Sequence, residues 1–206
     1  MRRWYRAGQV AGASIIVLAA MSLSSTVASA DPPYPLYGTR VVDGDYSDWN
    51  LTKDYYAAMY RAGWPEKPLE SWLYLRYDCN TSTLYILVRG RPSVPVITSP
   101  TDAWVAVDVI SNKAVTGTSG MDGIAPEFAW VEMGVAPGDT VAAGYEASIS
   151  LGPGTYRLIV HANVYDDNEE QTSATAGSPK DGVEVILNCA VPVEAASWGK
   201  IKSMYR

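Results

Sequence analysis

The chain has 206 residues, with 16 Lys and Arg against 22 Asp and Glu, one His and a formal charge of −6. That acidic balance argues against nucleic acid and anionic membranes as partners. The 14 Tyr and 7 Trp stand against a single Phe, Phe128, so nearly every ring carries a polar handle suited to half-wet positions or to stacking on flat ligands.

Residues 1–30 read as a signal peptide. Arg2, Arg3 and Arg6 form a basic start, residues 15–23 an apolar run too short to cross a bilayer, and Ala28-Ser29-Ala30 a small-residue cleavage site before Asp31. The mature protein is therefore expected to be secreted or held at the cell surface, with no membrane span after cleavage. Residues 31–190 suit one domain with a sizeable core, and residues 191–206 form a separate C-terminal tail.

Along the mature chain, period-two alternation dominates and no stretch sustains a helical stripe, which predicts an all-β fold of many short strands. Asp43-x-Asp45-x-x-Asp48 sets three carboxylates beside Gly44. Such a group either caps a turn through backbone N–H groups or offers oxygen ligands to Ca²⁺, and both roles are carried forward. Residues 54–61 fit a helix or a strand. Trp64 in the following loop and Trp72 at the next strand's start are the candidate platform for a ligand ring, because indole faces stack on the C–H face of a pyranose; the alternative is ordinary partial burial.

Residues 72–78 and 84–89 alternate cleanly about Cys79-Asn80-Thr81-Ser82 and predict a hairpin. Residues 103–110 place Val105, Val107 and Val109 on one face, with Trp104, Ala106 and Asp108 on the other. A shorter strand is expected at 128–133. Residues 140–151 and 156–165 flank Gly152-Pro153-Gly154-Thr155, which predicts a second hairpin, and residues 182–190 a closing strand. The acidic run Asp166 to Glu170 is read as a solvated loop.

Cys79 shares the parity of Leu73, Leu75 and Tyr77, and Cys189 that of Val183, Val185 and Leu187, so both face the apolar side of their strands. In an oxidising compartment they are expected to pair, the alternative being two buried thiols. About eight strands with these loops predict an antiparallel β-sandwich of jelly-roll type.

The segment Asp43-Gly44-Asp45-Tyr46-Ser47-Asp48-Trp49 resembles the opening of family 9-like carbohydrate-binding modules, DOMON-like β-sandwiches in which an Asp-Gly turn precedes a short Asp-Trp segment. Residues 72–88 are similar to that family's paired strands, and Asp102 to Asp108 to its later acidic strand. The resemblance covers roughly the first half of the mature chain. It implies a β-sandwich whose Trp49 packs inward, and a secreted module that recognises carbohydrate or another extracellular ligand; the alternative is a structural or adhesive protein of the cell surface or matrix that makes contact with a surface protein.

Catalysis has little support in the residues. His161 stands alone on a strand face with Arg157, Ile159 and Asn163, and neither Gly-x-Ser-x-Gly nor His-Glu-x-x-His is present. The expectation is a protein that is not an enzyme. The tail, with Trp198, Ile201 and Tyr205 among Lys200, Lys202 and Arg206, reads either as a docking tag or as a last strand.

Overall fold

A computed structural model describes residues 34–108, 113–136, 139–178 and 182–189; the expected signal peptide at 1–30 and the tail at 191–206 lie outside them. The described chain is built of β-strands with one short 3-10 turn, Tyr46–Asp48. Its strands are β1 (Leu36–Tyr37), β2 (Tyr55–Arg61), β3 (Leu69–Asp78), β4 (Thr83–Gly90), β5 (Val96–Ile97), β6 (Ala103–Val107) and β7 (Lys113–Thr116). They continue as β8 (Glu127–Val131), β9 (Gly134–Ala136), β10 (Asp139–Ala142), β11 (Gly144–Ser150), β12 (Gly154–Tyr165), β13 (Gln171–Ala176) and β14 (Val183–Leu187). Apart from β1, which runs parallel to β3, the named strands pair antiparallel.

Two layers form. The first has the order β8-β11-β4-β3-β2; the second is built on β12, which pairs with β13, β14, β6 and β5. Alternation explains the packing. Leu73, Leu75 and Tyr77 of β3 and Leu84, Ile86 and Val88 of β4 point inward to meet Leu158, Val160, Ala162 and Val164 of β12 and Val105 and Val107 of β6 in one buried core. The layers are also joined at a seam, where Met59, Tyr60 and Arg61 of β2 pair with Ala176, Thr175 and Ala174 of β13. The expected antiparallel sandwich is thus present, with its two sheets hydrogen-bonded into a continuous path.

Buried tyrosines use their polar handles inside this core. Tyr145 of β11 stacks on Phe128, with ring centroids 5.0 Å apart, and its hydroxyl crosses to the opposite layer to donate to the carbonyls of His161 (2.9 Å) and Trp104 (3.2 Å). Tyr77 donates to the Leu151 carbonyl at 2.9 Å. A buried hydroxyl left without an acceptor would cost about 1–3 kcal/mol, so these contacts fix where the two layers meet. Burial pushes both phenols above the usual tyrosine range.

Cys79, just after β3, and Cys189, after β14, form a disulfide with Cα atoms 5.6 Å apart, as their parity predicts. Both pack on the edge of the main core. Nearby, the Tyr37 hydroxyl donates to the Asn188 carbonyl, which ties β1 to the same corner.

Three readings of the elements change. Residues 54–61, open between helix and strand, contain β2. The expected strand 140–151 is two, β10 and β11, broken at Ala143, whose N–H goes to Val131 and whose carbonyl accepts from Gly90. The Gly152-Pro153-Gly154-Thr155 turn does not close a hairpin: β11 pairs with β4 and β8, whereas β12 belongs to the other layer, so this turn is a crossover between sheets. Among the described residues, no helix is long and apolar enough to cross a membrane.

Candidate binding cleft

The outer face of the first layer carries the even-numbered residues of β3, namely Trp72, Tyr74 and Arg76, and the odd-numbered ones of β4, Tyr85, Leu87 and Arg89. Part of that face is covered by the segment that leads into β2. Trp49 sits there 6% exposed, against Tyr74, Leu87 and Val131, as the resemblance implies for this indole. The Asp54 carboxylate, buried beneath, is held by Arg40 at 2.8 Å and by Arg76 at 2.5 Å.

One acid fastens this cover. Glu146 of β11 is 0% exposed and accepts the Gly44 N–H (2.8 Å), the Asp43 N–H (3.2 Å) and the Trp49 indole N–H (2.7 Å). Burial pushes its pKa up to about 7 from 4.5, against the pull of those three donors and with a small further rise from Asp48. Gly44 is required at the contact. Its φ is +85°, and a Cβ there would stand 2.5 Å from the Trp130 carbonyl oxygen.

The three aspartates of the same loop all serve its backbone. Asp43 Oδ1 accepts the Asp45 N–H at 2.9 Å, Asp45 Oδ1 accepts the Ser47 N–H at 2.9 Å and so caps the 3-10 turn, and Asp48 Oδ2 accepts the Val41 N–H at 3.2 Å. Among the described residues, no three His, Cys, Asp or Glu side chains come together as a group that could hold a metal ion.

Where the cover ends, the face opens into a cleft of about 550 Å³, lined by Trp72, Arg89, Arg91, Pro92, Glu132 and Ala142 among others. Register builds it. Trp72 and Arg89 stand directly opposite each other on β3 and β4, so the half-buried indole and the guanidinium emerge side by side on one face. The Arg89 guanidinium lies over the Tyr46 ring, 4.0 Å from its centroid. Beyond β4 the chain turns back: the Arg91 N–H donates to the Glu70 carbonyl and the Val94 N–H to the Arg91 carbonyl, both at 2.9 Å. Glu132 stands on the opposite rim, directly after β8.

Arg91 also belongs to an ion network under the rim. Its guanidinium pairs with Asp167 at 2.6 Å and approaches buried Glu70 at 4.0 Å, while Arg61 bridges Glu70 and Asp166, each at 2.8 Å. Asp166 further accepts the N–H groups of Asn168 and Glu170, which lowers its pKa, chiefly through those backbone bonds. The acidic run 166–170 is therefore a loop organised around one anchored carboxylate.

The sequence-predicted platform is divided. Trp72 lines the cleft, whereas Trp64, 49% exposed in the loop between β2 and β3, does not. Arg89, Arg91, Glu132 and Glu146 were not singled out in the sequence. The pair Arg89-Gly90-Arg91 at a strand end before Pro92 is the one local signal for the cleft's cations; Glu146 reads there as an ordinary outward strand residue.

On the outer face of the second layer, Trp104 stacks on His161 with centroids 5.0 Å apart. A string of side chains joins Thr175, His161, Asn163 and Asp102, in which the Asn163 amide donates to Asp102 at 2.7 Å. Asn163 Oδ1 can only accept, so His161 carries its proton on Nε2 and receives the Thr175 hydroxyl at Nδ1. Burial lowers the His161 pKa. The Thr175 hydroxyl at its end is buried, 5% exposed.

No protein-family model matches the sequence, and no curated protein matches it. Two solved structures of a carbohydrate binding module family 9 from Caldicellulosiruptor kristjanssonii are similar to this chain. One, in complex with glucose, has a TM-score of 0.43 at 14% identity and covers 79% of this chain and 98% of that one. The other, in complex with cellotriose, has a TM-score of 0.44 at 16% identity and covers 78% and 98%.

Proposed function

We propose that this protein is an exported, non-catalytic module that binds carbohydrate in the Trp72 cleft. The observation that carries the reading is the half-buried Trp72 indole standing beside the Arg89 guanidinium in an open cleft of about 550 Å³. An indole offers the flat apolar face that a pyranose C–H surface needs, while guanidinium and carboxylate groups around it bond hydroxyls that point sideways. The Asp43 to Trp49 resemblance supports the same reading, with the motif acting as a cover for the sheet and not as a ligand site. Export rests on the leader pattern of residues 1–30 and agrees with a disulfide that an oxidising compartment maintains.

The test is calorimetric titration of the purified protein with a panel of mono- and disaccharides. Trp72→Ala is expected to weaken binding by about 1–2 kcal/mol, since it removes the stacking face. Trp64→Ala is expected to leave binding unchanged. Equal losses in the two variants would extend the site to the β2–β3 loop, and no binding of any sugar by the wild type would overturn the proposal in favour of a structural or adhesive role.

For Asp43, Asp45 and Asp48 we carry forward the capping role. It predicts that millimolar Ca²⁺ leaves the melting temperature where it was, because only a ligand that binds the native state raises it. A rise in differential scanning calorimetry that EDTA reverses would assign the ion to this loop after all.

A further inference from the structure

We infer that the sugar taken by the cleft is an acidic one, a pyranose bearing a carboxylate of the uronic acid type, and that Arg89 selects it; this rests on the cleft being the binding site.

The charges around the cleft are not equivalent. Arg91 is already matched, by Asp167 at 2.6 Å and by buried Glu70 at 4.0 Å. Glu132 stands exposed on the rim, where water screens it. Arg89 is half-buried, and among the described residues it has no acidic partner within ion-pair distance. Its Nε is buried and without a hydrogen-bond partner among those residues. The Arg91 Nε is likewise unbonded, but there the charge is neutralised.

The contact with the Tyr46 ring holds the Arg89 guanidinium without cancelling its charge. A fixed, uncompensated guanidinium in a partly desolvated wall is the arrangement that rewards a planar, two-oxygen anion, because both carboxylate oxygens can accept in parallel. The register places Trp72 directly opposite Arg89. A pyranose lying on the indole therefore brings a ring carboxylate to the guanidinium, whereas a neutral hydroxymethyl group in the same place leaves the charge unanswered. The net charge of −6 opposes an anionic ligand at long range, so the selection rests on this local contact.

Titration of the purified protein with D-glucuronate, its methyl ester and D-glucose tests the inference without any variant. Glucuronate is expected to bind about tenfold more tightly than either neutral sugar at low salt, with the advantage shrinking as ionic strength rises past about 0.5 M. Arg89→Gln should bring glucuronate to the affinity of its methyl ester, and Arg89→Lys should keep part of the advantage; unchanged melting temperatures show that both variants fold. Equal affinities in the wild type, or a preference for the neutral sugars, would overturn selection by Arg89 and leave a neutral-sugar site standing. Binding of none of the three, with neutral sugars failing throughout the wider panel, would overturn the site itself.

Discussion

Replacing Cys79 and Cys189 by serine should lower the unfolding free energy by about 4–5 kcal/mol, which for a chain of this size is roughly 10–15 °C in melting temperature. The two residues lie 110 positions apart, so the bridge closes a loop that spans most of the described strands. In the unfolded chain that closure removes a large share of the accessible conformations. In the folded one it pins the end of β3, in the first layer, to the end of β14, an edge strand held by β12. Scanning calorimetry of the wild type, of the wild type under reductant and of the double variant measures the effect. The same melting temperature in all three samples would show that the bridge contributes nothing. A non-reducing peptide map should meanwhile yield one linked pair.

The second large effect is expected at Glu146. Its pKa stands near 7 in the folded chain against 4.5 without the fold, so the folded state binds the proton more tightly. The stability this contributes is complete below pH 4.5 and is lost as pH rises through 7, a change on the order of 3 kcal/mol or roughly 6–12 °C. Two other groups act with the opposite sign. His161, whose pKa is lowered by burial, favours the fold at pH values above 6.5 and loses that contribution on acidification. Asp166, lowered by its backbone bonds, does so below about 3.8. The clean measurement is therefore the difference between wild type and Glu146→Gln across pH 5 to 8, where His161 cancels. That difference should shift against the wild type as pH rises, and a flat difference would show that Glu146 does not titrate there. Glu146→Ala removes the acceptor for three N–H groups at once and should cost about 3 kcal/mol or more at any pH in that range.

What could be read from the residues was what depends on neighbours in sequence. The alternation of β3, β4, β6 and β12 and the parity of the two cysteines needed no partner to be visible, and the Asx contacts of Asp43 and Asp45 reach only two residues ahead. The turn at Gly152 to Thr155 shows where such reading stops. Its chemistry reverses the chain, but nothing local says that β12 will find its partners in the other sheet. Trp72 lines the cleft and Trp64 does not, for the same reason: one is in a strand and the other in a loop, so eight positions of sequence say little about which surface each serves. Arg89, Glu132 and Trp72 converge only because β4, β8 and β3 do. Glu146 was hidden most deeply, since an outward-facing acid becomes a buried one when a segment a hundred residues earlier in the chain lies down over it.

The placement of β12 bears on how the molecule must be assembled during synthesis. It is the strand on which the second layer is built, with β6 and β5 along one edge and β13 and β14 along the other, yet it is the third strand from the described C-terminal end. Everything made before residue 154 therefore includes β6 without its main partner and the inner face of the first layer without the β12 side chains that cover it. A chain threading N-terminus first out of a narrow channel cannot bury that face strand by strand. It stays sticky until the last quarter has emerged and then closes in a single late event, so the nascent form, and not the finished one, is the state most in need of a holding chaperone.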